Sequence, residues 1–132
     1  EILSGLVGSE MCIRDRYGEL KIFYSAFPSA FITADIAKKN NIVRGINRGV
    51  VNISAMTQLS KGLNATVTGV VSNIMQQNQT LSFSAIREGK SIYYIAPFKF
   101  ENEDYLTFKV NLKIDNSDQY DIKFQKLMYI DK

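Results

Sequence analysis

"YLTFKVNLKI", residues Tyr105–Ile114, has the cleanest alternation of apolar and polar residues in this sequence. Its even-numbered positions are all apolar, and its odd-numbered positions are tyrosine, threonine, lysine and asparagine. Successive side chains of a β-strand point to opposite faces, so this pattern predicts a strand with one face in a core and the other in water. Half-buried strands of this kind are typical of antiparallel sheets.

The same period of two recurs along most of the chain, and each run ends at a turn signal such as Pro28 or Glu88-Gly89. About seven strands with a turn signal roughly every dozen residues predict an antiparallel immunoglobulin-like β-sandwich, with a small β-barrel as the alternative fold. Besides Tyr105–Ile114, the predicted strands are Gly18–Phe27, Arg48–Ala55, Leu63–Met75, Leu81–Ala85, Ser91–Pro97 and Tyr120–Ile130.

One segment breaks the alternation and predicts a single short helix. Thr33 can accept a hydrogen bond as the N-cap residue, and Asp35 places a negative charge in the first turn. Lys38 and Lys39 favour the C-terminal end of the same helix. Asn40-Asn41 can end it, because asparagine tolerates a left-handed backbone.

The first sixteen residues differ from the rest of the chain. Met11–Arg16, "MCIRDR", back-translates to ATG TGT ATA AGA GAC AGR, which resembles the transposon end of a tagmentation sequencing library, and the preceding residues fit the adaptor arm and primer. We therefore expect Glu1–Arg16 to be a translated adaptor, non-native and disordered. Residues 17–132 are then expected to form one β-sandwich domain whose native N-terminus has been lost.

Charge and hydropathy exclude some classes of partner. The chain has 16 Lys+Arg and 13 Asp+Glu, a net charge of +3, and leaving out residues 1–16 removes two arginines and three carboxylates and gives +4. The lysines are scattered, which is typical of a solvated surface, so no nucleic-acid partner is expected. No apolar run approaches about 18 residues, so no transmembrane helix is expected.

The side-chain inventory excludes several kinds of catalysis. The chain has no histidine, and its one cysteine, Cys12, lies in the adaptor-like segment. Ser-His-Asp and Cys-His nucleophiles are therefore absent, as are the usual zinc, copper and haem ligands. The glycines form no phosphate-binding loop. We expect a protein that is not an enzyme and that binds no cofactor.

Three residues are the candidate binding residues. Arg44 and Arg48 lie four apart before a strand, and their guanidinium groups could receive a carboxylate or a phosphate. The alternative is that they satisfy loop carbonyls or pair with Glu101 or Glu103. Tyr93 is expected on the exposed face of its strand, where an aromatic ring can anchor a partner.

The densest acidic cluster is Glu101-Asn102-Glu103-Asp104. Its oxygens could coordinate Ca²⁺, but the spacing matches no calcium-binding loop. We therefore interpret it as a solvated turn between strands and expect no metal site.

Four stretches cover most of the chain and resemble one bacterial family, the domain of unknown function numbered 4426. The resemblance implies a secreted or periplasmic protein whose native signal peptide has been lost where the adaptor-like segment now stands. It carries over no catalytic or ligand residue. The chain departs from the family pattern in Asn73–Gln77, where the pattern has glycine before the last glutamine, so a changed turn is expected there. The stretches are "YGELKIFYSAFPSAFIT" (Tyr17–Thr33), "IVRGINRGVVNIS" (Ile42–Ser54), "EGKSIYYIAPFKFENED" (Glu88–Asp104) and "IKFQKLMYID" (Ile122–Asp131).

Two functions from different classes fit these observations. The favoured one is a non-enzymatic extracytoplasmic module that binds an envelope protein or another envelope component through loops or a sheet edge. The alternative is a carrier of a small apolar ligand or lipid, which requires a sizeable apolar cavity instead of a close-packed core.

Overall fold

The structure is a computed structural model that describes residues 13–17, 20–56, 62–115 and 119–130. A 3-10 turn, Ser29–Phe31, and one helix, α1 (Ala34–Lys39), lie between the second and third strands. The strands are β1 (Ile13–Tyr17), β2 (Leu20–Pro28), β3 (Arg48–Met56), β4 (Ala65–Ser72), β5 (Asn78–Ser82), β6 (Ser84–Glu88), β7 (Ser91–Lys99), β8 (Asp104–Ile114) and β9 (Gln119–Met128).

The strands form two antiparallel sheets. Sheet I has the order β1-β2-β3-β7-β6, and sheet II has the order β5-β4-β8-β9. With β2 taken as strand A, sheet I contains A-B-E-D and sheet II contains C′-C-F-G, which is the immunoglobulin arrangement with strand C′ on the second sheet. The predicted immunoglobulin-like sandwich is confirmed, and the alternative barrel is not formed.

The described residues contain two more strands than predicted. One is β1, which precedes the first predicted strand. The other arises because the predicted strand Leu81–Ala85 is divided at Phe83 between β5 in sheet II and β6 in sheet I. The alternation continues through Phe83 while the hydrogen-bonding partner changes from β4 to β7. A period of two therefore could not reveal the change of sheet.

The disorder expected of residues 1–16 does not extend to their last four residues. Ile13–Tyr17 pairs antiparallel with β2, with Arg16 opposite Lys21 and Tyr17 opposite Leu20. Backbone N–H and C=O groups make these bonds, and any non-proline residue supplies them, so side-chain composition alone does not prevent an edge strand. Residues 1–12 lie outside the described part of the chain.

Aromatic side chains fill the space between the sheets. Tyr24 on β2 stacks on Phe124 with ring centroids 4.5 Å apart, and Phe124 stacks on Phe108 at 4.8 Å. Phe108 then meets Phe98 on β7 edge-to-face at 5.2 Å, so the rings connect sheet I to sheet II and back. The even-numbered residues of β8 are all buried in this core, as the alternation predicts.

A second, smaller core lies on the outer face of sheet I. The connection from β2 to β3 covers that face, and Ile32 and Ala37 pack there with Phe27, Val50 and Tyr93. As a result β3 and β7 are buried on both faces over most of their length.

The predicted helix is confirmed, with Thr33 as its cap. The Thr33 hydroxyl accepts a hydrogen bond from the backbone N–H of Ile36 at 3.3 Å, and Asn40 is the C-terminal cap. Asn41 takes a φ of 57°, the left-handed conformation expected of an asparagine after a helix. No helix of the described residues is long and apolar enough to cross a membrane, as predicted.

Candidate functional site

The two ends of the sandwich differ in the side chains they present to solvent. We define the lower end as the two ends of the β2–β3 connection (29–31 and 43–47), the β4–β5 turn (73–77), the β7–β8 turn (100–103), the first residue pairs of β8 with β9 and the residues after β9. The opposite, upper end carries the β6–β7 turn. Among the described residues, every exposed large hydrophobic side chain lies at the lower end. These are Phe31, Val43, Ile46, Ile74, Met75, Tyr105, Leu127 and Tyr129.

A groove of about 220 Å³ opens at the lower end, and we call it the Arg44 groove. Ile46 and Tyr129, which are 72% and 56% exposed, contribute large apolar side chains to its wall, and Arg44 adds one exposed cation. The lining residues are Pro28, Ala30, Arg44, Gly45, Ile46 and Tyr129.

The groove has its shape because the β2–β3 connection is held close to the sheet. Ser29 is fully buried, and its hydroxyl donates to the carbonyl of Gly45 and accepts from the N–H of Gly45, each at 3.1 Å. Farther along, the N–H of Phe100 donates to the carbonyl of Asn47 at 2.9 Å. These bonds fix both sides of the loop that carries Arg44.

The structure brings the two predicted arginines to the same part of the lower end. Arg48 is half-buried, and its Cδ and Cγ would be 3.3 and 3.4 Å from a Cβ placed on Gly45, so its stem lies beside the groove. Neither guanidinium group makes a hydrogen bond or ion pair with another described residue. The alternative pairing with Glu101 or Glu103 is therefore not seen among the described residues.

The exposure predicted for Tyr93 is wrong. Tyr93 is only 5% exposed, because the β2–β3 connection covers its side of sheet I and includes the ring in the second core. This covering segment lies far from Tyr93 in sequence. Tyr94 is buried on the other face, and its hydroxyl accepts from the N–H of Ala65 at 2.8 Å and donates to the carbonyl of Leu63 at 3.2 Å.

The acidic cluster at residues 101–104 forms a turn whose side chains bind backbone. The Asp104 carboxylate accepts from the N–H of Glu101 at 3.0 Å, and the Asn102 amide oxygen accepts from the N–H of Ile130 at 2.9 Å. Glu103 has a φ of 55°. No group of three or more His, Cys, Asp or Glu side chains that could hold a metal ion occurs in the described ranges.

Sequence reasoning missed the second feature of the lower end, the β4–β5 turn. Ile74 and Met75 are each 76% exposed at its tip. The Asn73 amide oxygen accepts from the N–H groups of Met75 and Gln77, both at 3.0 Å, and its amide nitrogen donates to Oε1 of Gln77 at 2.8 Å. The signal available in the sequence was an Ile-Met pair inside an otherwise polar turn, which strand periodicity assigned to the preceding strand.

Gln76 is the residue at which a departure from the glycine of the resembled family is expected. Its φ is 62°, a left-handed conformation that glycine adopts readily and glutamine does not. The N–H of Gln76 donates to the carbonyl of Asn73 at 2.9 Å, which closes the turn. Here glutamine takes the backbone conformation that suits glycine.

A larger hollow of about 430 Å³ lies on the open face of sheet II. Its floor is the row formed by Gly69, Val110 and Ile122 on three neighbouring strands, and the side chains of Val110 and Ile122 are buried. Lys109 and Lys123 lie directly opposite each other beside this row. The hollow is thus a trough between rows of polar side chains on the face of the sheet. It gathers no apolar side chains at its rim, so the lower end is the better candidate site.

The fold and the site define a class of protein, the single immunoglobulin-like β-sandwich domain with apolar loops at one end. Within that class the chain belongs to the family described as "Domain of unknown function (DUF4426)", whose sequence profile matches residues 14–131. The chain is also similar to a crystal structure of a DUF4426 family protein from Pseudomonas aeruginosa PAO1. The two share 25% sequence identity with a TM-score of 0.84, covering 94% of this chain and 98% of that chain. A search of curated proteins finds no match.

Proposed function

We propose that this chain is a non-enzymatic interaction module of the bacterial cell envelope, periplasmic or secreted, that binds a protein partner with its lower end. One observation carries the proposal. The exposed large hydrophobic side chains of the described residues gather at one end of the sandwich and are not scattered over its surface. Single exposed apolar residues are ordinary, whereas their concentration on one surface is typical of an interaction site.

The lower end also has the rigidity that favours binding. The Asn73 amide fixes the backbone under Ile74 and Met75, and the Ser29 hydroxyl fixes the loop beside Ile46. A side chain held in place before binding loses less conformational entropy on association. These elements therefore suit a pre-organised contact surface with a partner.

The packing between the sheets favours this module over the alternative carrier. The rings from Tyr24 to Phe98 occupy the middle of the sandwich, where a carrier would hold its ligand. The fit is tight, since a Cβ on Gly49 would be 2.4 Å from the ring of Phe98. A close-packed interior of this kind leaves the surface as the place where binding occurs.

Site-specific photo-crosslinking in a bacterium tests the proposal. The full chain, behind a periplasmic signal, is produced in Pseudomonas aeruginosa with a photoreactive residue at Ile46 or Met75, both at the lower end. Matched controls carry the same residue at Thr66 and Lys90, which are exposed positions away from that end. After irradiation, mass spectrometry identifies proteins and small molecules bound to each variant.

The proposal expects protein adducts from positions 46 and 75 and none of the same adducts from positions 66 and 90. Equal labelling from all four positions would indicate random collision and overturn the proposal. A lipid or metabolite recovered without a protein adduct would favour the carrier.

A further inference from the structure

We propose that the Arg44 groove binds the C-terminal residue of a partner polypeptide, with the apolar side chain of that residue in the groove and its carboxylate on Arg44. The inference rests on the proposed function and names the part of the partner that the lower end recognises. It follows from the chemistry of the groove walls and from the size of the groove.

The groove combines an apolar wall with a cation. Ile46 and Tyr129 expose large apolar surface, and the Arg44 guanidinium makes no hydrogen bond or ion pair with another described residue. A matching ligand carries an apolar group beside a negative charge. Arginine binds carboxylates well because its planar fork donates two parallel hydrogen bonds.

The volume of the groove separates a peptide end from a lipid. Small-molecule sites usually enclose about 300–1,000 Å³, whereas this groove measures about 220 Å³. A groove of this size holds one amino-acid side chain whole, and only part of a long acyl chain. An internal residue with an apolar side chain has no charge, so the residue that offers an apolar side chain and an anion together is a C-terminal one.

The second arginine strengthens the assignment. The stem of Arg48 runs beside Gly45, and Gly45 itself lines the groove. A methyl group on Gly45 would be in tight contact with that stem. A second arginine stem beside the groove adds positive charge to the surroundings of Arg44, which favours an anionic ligand.

Fluorescence anisotropy with the full chain tests the inference. The probe is fluorescein-labelled Gly-Ser-Gly-Ser-Gly-Leu with a free C-terminal carboxylate, compared with the same peptide as a C-terminal amide and with a version ending in glycine. We expect the free acid to bind about tenfold more tightly than the amide, since one charge-assisted contact is lost. The version ending in glycine is also expected to bind more weakly.

Two arginine variants locate the effect. Arg44→Gln is expected to weaken binding of the free acid about tenfold and to remove the difference between acid and amide. Arg87→Gln is the matched control, because Arg87 is exposed at the upper end and bonds Oδ1 of Asn64 at 2.7 Å; it is expected to leave both affinities unchanged. Circular dichroism checks that both variants fold.

Three results would overturn the inference: equal binding of acid and amide, equal loss in both arginine variants, or tighter binding of decanoate than of the peptide. These results are distinguishable from failure of the proposed function. Protein adducts at position 75 without peptide binding would refute only the C-terminal assignment, and peptide binding without adducts in cells would refute the proposed function.

Discussion

Two tight turns at opposite ends of the sandwich meet the same backbone requirement with different residues. The β6–β7 turn at the upper end has Gly89 at a φ of 58° and the exposed Lys90 beside it. The β4–β5 turn at the lower end has Gln76 at a φ of 62° and exposes Ile74 and Met75. The upper turn thus has glycine at its left-handed position and a charged side chain in solvent, as local preference favours. The lower turn has a glutamine at its left-handed position and two apolar side chains in solvent.

The difference in residue type between the two turns bears on their roles. A non-glycine residue in the left-handed region costs about 1 kcal/mol, and exposed apolar side chains contribute nothing to the stability of the folded chain. Departures from local preference of this kind concentrate at functional sites. Under the proposed function, the lower turn accepts a small cost in stability in exchange for its contact with the partner.

The largest expected effect concerns binding. The double substitution Ile74→Ser and Met75→Ser is expected to reduce the protein adduct formed from a photoreactive residue at position 46 about a hundredfold, since central apolar contacts are each worth on the order of 1–2 kcal/mol. The unfolding free energy should change little, because both side chains are exposed. Lys90→Ser is the control at the other turn, and an equal loss of adduct in that variant would remove the distinction between the ends.

The next effect is on stability. Ser29→Ala removes a buried hydroxyl that bonds both backbone groups of Gly45, so it is expected to lower the unfolding free energy by about 2 kcal/mol. Urea denaturation measures the change, with the exposed Ser82→Ala as the matched control. If the two variants lose the same amount, Ser29 does not hold the lower-end loop in place.

A smaller loss is expected at the upper turn. Gly89→Gln places a side chain at a φ of 58° and should lower the unfolding free energy by about 1 kcal/mol. The same denaturation experiment measures it. An unchanged stability would show that the upper turn relaxes to another conformation without cost.

The smallest effect has the opposite sign. Gln76→Gly relieves the left-handed strain in the lower turn but adds flexibility to the unfolded chain, so a net gain of about 0.5 kcal/mol is expected. Thermal unfolding detects it as a higher Tm. A loss of stability would mean that the Gln76 side chain contributes contacts that outweigh the strain.

The fold could be predicted from sequence because its main signal is local. The alternation in Tyr105–Ile114 needs no knowledge of any partner strand, and the Thr33 cap requires only a few neighbouring residues. The change of sheet at Phe83 could not be predicted, since alternation is the same whichever strand lies alongside. Likewise the burial of Tyr93 depends on a covering segment distant in sequence.

The candidate site was predicted only in part for the same reason. Arg44 and Arg48 stand out in the sequence as two arginines four residues apart before a strand, and they do lie together at the lower end. The wall of the groove depends on Tyr129, which comes from the other end of the chain and meets Ile46 only in the folded protein. No local pattern in the sequence links these two residues.

The sheet order has a kinetic consequence. The central pairs, β3 with β7 in sheet I and β4 with β8 in sheet II, join strands distant in sequence, and the chain crosses from one sheet to the other at Phe83. Neither sheet can be completed from one continuous segment of the chain. Each sheet is therefore complete only after strands distant in sequence have paired. Topologies dominated by such pairings fold on a timescale of about milliseconds to seconds. During that interval the strand edges are uncovered, which makes refolding at high protein concentration the condition most prone to aggregation.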